Sequence, residues 1–274
     1  VHRITGAVVL RSALFNIAFY LNFIAWLIAA LPTLVMPRRA IIEVVKAWGR
    51  VNLWLLRAIC GIDVEWRGLE RIPRGPLLVA VKHQSVWETF ALISLFDDPT
   101  LILKRELLWV PLFGWFARKG GMIAVDRAAG KGALSPLMKS FHVALAEGRQ
   151  VIIFPEGTRR SPGAEPDYKL GIVFLYREAQ VPCLPIALNS GLFWGRRGFL
   201  RYPGTVRVEI LEPIPPGLNR RVFFRRLKSD IEAATAALVA QEARERDENA
   251  LPAVSAAADA SAAVPPKPSA DHAR

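Results

Sequence analysis

The sequence predicts an α/β protein: a mixed central sheet layered with helices, preceded by an N-terminal membrane-associated helical pair and followed by a disordered tail. Three observations carry this expectation. An apolar run without a charged residue extends from Ser12 to Met36. From about Ile62 onward, short β-rich runs alternate with helical ones. Beyond about Gln241 the chain is rich in Ala, Pro and charge and has almost no large apolar residues. The expected divisions are therefore 1–61, 62–240 and 241–274.

The first run is long enough to span a bilayer, for which about 20 apolar residues suffice. Asn16, Asn22 and Pro32 interrupt it and weaken the spanning case. Arg11 precedes it and Arg38, Arg39, Lys46 and Arg50 follow, so the basic excess lies on its C-terminal side. A second apolar stretch covers Val51 to Ile62, with Trp48 and Trp54 as candidate interfacial residues. The two stretches read as a helical pair that spans or dips into a membrane.

In the alternating region the predicted strands are Ile62–Trp66, Leu77–Val81, Thr100–Leu103, Met122–Val125, Val151–Phe154, Leu184–Leu188 and Val206–Leu211. The predicted helices are Val86–Leu95, Leu107–Ala117, Leu134–Glu147, Leu170–Ala179 and Arg221–Val239. Such alternation places a site where strands end and loops begin. The segment after Gln241 cannot bury enough surface to offset ordering entropy.

The 274 residues carry 36 Lys and Arg against 24 Asp and Glu, a formal net charge of +12. Hydrophobic residues make up 52% of the chain, and the mean hydropathy is +0.26. This balance points to anionic partners. Nucleic acid fits worst, because the basic residues are interleaved with apolar runs and no nucleic-acid-binding signature is present. Cys60 and Cys183 are too few and too far apart for a disulfide framework or a zinc site. They read as buried small hydrophobes in a catalytic part facing a reducing compartment.

Four blocks carry candidate chemistry. In Val81 to Thr89, His83 follows a strand and Glu88 lies five residues on. On one helix that spacing is about 140° of rotation. The pair can meet if His83 sits in the turn and the helix starts near Ser85. A neutral imidazole can abstract a hydroxyl proton, and a carboxylate on its other nitrogen fixes the tautomer. Ser85 to Glu88 is also a capping box, and the two roles are compatible. In Leu103 to Phe116, Lys104 and Arg105 follow a strand; a solvated basic pair is the alternative to a phosphate contact. In Val151 to Arg160, a strand gives way to Pro155, Glu156, Gly157, Thr158 and Arg159, a composition suited to seating a phosphate. It is not a P-loop. In Val181 to Gly191, Pro182 and Pro185 bracket a short strand, most simply at a sheet edge. Ser190 stands in no nucleophile elbow.

These blocks, in this order, resemble the four signature motifs of the glycerolipid acyltransferase family, particularly its bacterial 1-acyl-sn-glycerol-3-phosphate acyltransferases. The resemblance covers roughly Ile62 to Leu211, and Gly120 to Arg127 matches the segment between the second and third motifs. It implies His83 as the general base on a lysolipid hydroxyl and Glu88 as its acidic partner. The family pattern has Asp at the latter position. It further implies that Arg105, Glu156, Gly157, Thr158 and Arg159 seat a glycerol phosphate, and that Pro185 has a structural or acyl-related role. The donor would be acyl-CoA or acyl carrier protein, the acceptor lysophosphatidic acid among membrane lipids, and no metal or other cofactor would be needed. The implied place is the inner membrane with the site facing the cytoplasm. Another lysolipid acceptor, such as lyso-ornithine lipid, and an acyl thioesterase or lipid hydrolase are the alternative readings. Arg220, Arg221, Arg225, Arg226 and Lys228 crowd the start of the last helix, the end the helix dipole disfavours for cations. A membrane- or carrier-facing patch and a solvated face both account for them.

Overall fold

The computed structural model describes residues 4–126, 132 and 134–250. Its centre is a seven-stranded sheet, ordered β1-β7-β6-β2-β5-β3-β4. The strands are β1 (Ile62–Arg67), β2 (Leu77–Val81), β3 (Pro99–Lys104), β4 (Ile123–Val125), β5 (Gln150–Ile153), β6 (Cys183–Leu188) and β7 (Gly204–Ile210). Neighbours run parallel except β6 and β7. The mixed α/β architecture is thus as the sequence predicts.

Every residue of β2 is fully buried, as expected of a parallel strand covered on both faces. Alternation sends Leu77, Val79 and Val81 to one face and Leu78 and Ala80 to the other. The first face packs against α1 (Gly6–Ala29), α2 (Arg38–Leu55) and α3 (Glu88–Ala91) through Phe15, Trp48 and Phe90. The second packs against α5 (Leu134–Ala146), α6 (Gly171–Ala179) and α7 (Arg220–Ala250) through Phe141, Ile172, Tyr176, Phe223, Leu227 and Ile231. Each such aliphatic or aromatic side chain, fully buried, contributes about 1.5–3 kcal/mol of transfer free energy.

The helical pair is α1 and α2, followed by a π-helical turn over Leu56–Cys60. By length and composition, α1 could cross a membrane. One face is nonetheless committed to the protein: Val8, Ser12 and Phe15 are buried, and the Phe19 ring packs tilted against Trp48 and Phe90 and edge-on to Trp194. The asparagines that interrupt the run lie on this side, Asn16 meeting Arg201 and the carbonyl of Phe199, and Asn22 meeting Asn52. Leu10, Leu14, Ile17, Leu21, Ile24 and Ile28 form an exposed apolar stripe on the opposite side.

Four expectations are corrected. Helix 86–95 is a single α-turn, α3, followed by a 3-10 turn over Leu92–Leu95. Helix 107–117 is split into a 3-10 turn over Arg105–Trp109 and α4 (Phe113–Lys119). The cause is Pro111, which cannot donate within a helix, followed by Leu112 at a positive φ of 60°. β6 is no edge strand: it lies between β7 and β2. Pro185 is accommodated where the β6–β7 ladder breaks between Ile210 and the isolated bridge from Cys183 to Ile214. Finally, the folded chain continues past Gln241 to Ala250 in α7. Polar contacts supply what apolar residues do not: Arg207 forms ion pairs with Glu242 at 2.9 Å and Glu245 at 2.5 Å, and Arg67 donates a hydrogen bond to Gln241 at 3.0 Å. The remainder of the expected tail lies outside the described residues.

Truncation therefore has a sharp threshold. Ending the chain after Ala250 is expected to leave the thermal midpoint unchanged. Ending it after Val239 strips the mostly buried Arg207 of two carboxylates and is expected to cost about 3 kcal/mol, seen as a lower midpoint in a melt of both variants.

Candidate active site

The candidate residues collect along one edge of the sheet, at the carboxyl ends of adjacent strands. His83 follows β2, Phe154 to Arg159 follow β5, Arg105 follows β3, and Ser190 follows β6. Adjacent strands lie about 4.8 Å apart, so the row β6-β2-β5-β3 spans the edge without a gap.

His83 sits in the turn between β2 and α3. Its Nδ1 lies 3.2 Å from Glu88 Oε1. The same oxygen accepts the backbone N–H groups of Gln84 at 2.5 Å and Ser85 at 2.6 Å. Glu88 Oε2 accepts the Ser190 hydroxyl at 2.9 Å. Glu88 is 1% exposed, and every group around it is a donor, the set an ionised carboxylate accepts. Because a carboxylate cannot donate, Nδ1 carries the imidazole proton and Nε2 is the basic nitrogen. The imidazole stacks on Phe154, with ring centroids 4.0 Å apart, which fixes its plane.

Half of the capping box forms. Glu88 reaches back to the Ser85 N–H, but the Ser85 hydroxyl accepts from Trp87 N at 3.3 Å instead of from residue 88. One carboxylate thus holds the helix start and the histidine together, and the two readings of Glu88 coexist.

Behind this pair lies a buried ion cluster. Lys82 is 3% exposed and bonds Glu156 at 3.0 Å and Glu232 at 2.7 Å. Tyr168 donates to Glu232 at 2.8 Å. Burial raises the Glu156 carboxyl above its ordinary range, while the Lys82 ammonium pulls it the other way. Burial also pushes the Tyr168 phenol up, helped by the Glu232 charge. Glu156 Oε2 accepts the N–H of His83 at 3.4 Å, so Glu156 stands behind the loop as a support.

The loop after β5 is clamped at both ends. Arg160 N donates to the His83 carbonyl at 2.8 Å, and Lys169 N donates to that of Pro155 at 2.9 Å. Gly157 has a φ of 65°, open to glycine at no steric cost, and its N–H closes a turn onto Phe154 at 2.9 Å. Thr158 and Arg159 are half-buried, and among the described residues their side chains make no hydrogen bond or ion pair. Arg105 is more exposed and meets Asp126 at 2.9 Å. The edge therefore combines an oriented base with a cationic loop. Among the described residues no group of His, Cys, Asp and Glu could hold a metal.

A model of the Acyltransferase family matches residues 63–189. A 1-acyl-sn-glycerol-3-phosphate acyltransferase of Pseudomonas aeruginosa is 45% identical over 177 residues, 64% of this chain and 69% of that protein. This chain belongs to the acyltransferase family. The 1-acyl-sn-glycerol-3-phosphate acyltransferase alpha of Mus musculus is 33% identical over 207 residues, 73% of this chain and 71% of that protein. A solved structure, that of the 1-acyl-sn-glycerophosphate acyltransferase of Thermotoga maritima, matches with a TM-score of 0.70. It does so over 84% of this chain and 97% of the other, at 22% identity, and so supports the fold.

The matched stretch of this acyltransferase holds most of the edge row, while Ser190 and Glu232 lie beyond it. Sequence reasoning missed Lys82, Phe154 and Glu232, and left Ser190 without a role. Lys82 had a signal: a lysine on the inward rhythm of Leu78 and Ala80 needs a buried counter-charge. Glu232, 150 residues distant, had none.

Glu88→Gln separates the carboxylate's two duties. Loss of charge at Nδ1 is expected to lower kcat by about 10²–10⁴-fold. Replacing charge-assisted by neutral hydrogen bonds to the Gln84 and Ser85 amides should cost about 1 kcal/mol. Turnover and a thermal melt of the same preparation check both numbers.

Proposed function

We propose that this chain transfers a fatty acyl group from a thioester, acyl-CoA or acyl carrier protein, to the sn-2 hydroxyl of 1-acyl-glycerol 3-phosphate, giving phosphatidic acid. The observation that carries this reading is the His83–Glu88 pair, set beside a phosphate-suited loop on a chain 45% identical to an acyltransferase of that name.

In this reading His83 Nε2 takes the proton of the acceptor hydroxyl as its oxygen attacks the thioester carbonyl carbon. Glu88 stabilises the imidazolium that forms. The tetrahedral adduct collapses by breaking the C–S bond, and the departing sulfur receives the proton from Nε2. No covalent acyl-enzyme and no cofactor enter. Arg159 offers a planar fork for the acceptor phosphate, with Thr158 as a hydroxyl donor. Arg105, already paired to Asp126, contributes less. Proximity supplies much of the acceleration, and the base about 10²–10⁴-fold.

The acceptor is a lipid, and the chain has a surface for lipid. The exposed stripe of α1 from Leu10 to Ile28 runs along a helix whose other face packs on the domain. A helix held this way lies in the interface of one leaflet instead of crossing it. It covers the same sheet face as α3, which bears Glu88. The inner membrane, with the site on its cytoplasmic side, is the proposed location.

Purified protein with lysophosphatidate and either donor is expected to yield phosphatidate by mass. Free fatty acid as the main product would identify a hydrolase instead. His83→Ala should abolish transfer. Arg159→Ala should raise KM for lysophosphatidate far more than for the donor, and Arg105→Ala should do so more weakly. Equal shifts for both substrates would make Arg159 a loop support. Replacing Leu14, Ile17 and Leu21 by Gln should shift the protein from vesicles to the supernatant without lowering its melting temperature.

A further inference from the structure

Ser190 is fully buried and lies 102 residues from Glu88 in sequence, yet its hydroxyl meets Glu88 Oε2 at 2.9 Å. A carboxylate only accepts, so the hydroxyl proton is committed to Glu88. That argues against Ser190 as a nucleophile: its proton is held by a carboxylate, a far weaker base than the imidazole that activates a catalytic serine.

The two oxygens of Glu88 are unequally loaded. Oε1 serves two backbone amides and His83, whereas the hydrogen bond on Oε2 comes from Ser190. The terminal torsion of a glutamate is broad, with no staggered well to hold it. Without a donor on Oε2, the carboxylate can rock about that bond and lengthen the contact to Nδ1. Glutamate also has one more torsion than the aspartate of the family pattern, and so needs more restraint.

The segment that delivers Ser190 is itself fixed. Gln84, next to His83, accepts the N–H of Gly191 at 3.0 Å through its side-chain oxygen. Asn189 accepts the N–H of Arg207 at 2.8 Å. A Cβ at position 191 would lie 2.9 Å from Gln84 Cβ and from Pro162 Cδ, so only glycine lets the three loops close this tightly.

We propose that Ser190 is a positioning residue for the acyl transfer: it pins the second oxygen of Glu88 so that the first stays directed at His83. This rests on the general-base reading of His83. Ser190→Ala removes one hydroxyl and leaves the fold in place. Its kcat is expected to fall about 10- to 100-fold, the usual effect of losing a hydrogen bond to a charged group. KM for both substrates should stay within twofold, and Ser190→Thr should recover most of the rate. The losses in Ser190→Ala and Glu88→Asp should be non-additive, because the shorter side chain withdraws from Ser190 and the double variant then loses little beyond the larger single effect. A second measurement needs no turnover. The downfield proton resonance of His83 Nδ1–H, identified by its absence in His83→Ala, should broaden in Ser190→Ala through faster exchange with solvent. An unchanged resonance in Ser190→Ala overturns the proposal even if the chain transfers no acyl group. With transfer established, kcat within twofold of the parent, or additive losses, overturns it as well.

Discussion

The structure hinges on burying one ammonium. Removing Lys82 from water costs several kcal/mol, and only close, well-directed carboxylates can offset it. The two that do so come from separate parts of the chain, Glu156 from the loop after β5 and Glu232 from α7. Neither can move without exposing the other pair. The end of β2, the phosphate-suited loop and the long C-terminal helix are thereby held in one arrangement, and Glu156 passes that order on to the His83 backbone. On the other side of the strand end, Glu88 does the same with uncharged donors. The His83 imidazole is held between a salt-bridge cluster facing α7 and a hydrogen-bonded carboxylate facing the first helices.

Much of this was legible in the sequence because it is local. The seven strands were placed to within two residues at each end, since short apolar runs between turn residues are strong signals in a parallel sheet. The His83–Glu88 encounter could be read from a spacing that works only if His83 sits in the turn before the helix, which it does, although the helix starts at Glu88 and not near Ser85. What was not legible depended on distant partners. The 3-10 turns replacing two expected helices follow from tertiary packing and from Pro111 and Leu112. β6 was placed at an edge because its prolines argued so, whereas a break in its ladder with β7 accommodates Pro185 in the interior. α7 outran its apolar stripe because Arg207 and Arg67, from strands far upstream, supply polar partners that composition alone does not reveal.

The pairing of Glu88 with Ser190 bears on how such sites tolerate change. A carboxylate longer by one methylene would have to fold back or push the histidine away. Here α3 starts at residue 88 itself, and the Gln84 and Ser85 amides and the Ser190 hydroxyl take up the oxygens of its side chain. The surrounding donors hold the longer carboxylate with its Oε1 3.2 Å from Nδ1.

The two-sided character of α1 has a consequence for where such a protein can work. A helix that crosses a bilayer must match its thickness, and mismatch carries a cost that sorts proteins among membranes. A helix fastened along one face to a folded domain presents only the depth of its outer side chains to lipid. In the proposed interfacial seat, its vertical position is set by the reach of Leu10, Leu14, Ile17, Leu21, Ile24 and Ile28, and the far leaflet does not enter. Such an anchor floats the domain at a constant height above the acyl chains, whether the bilayer is thin or thick.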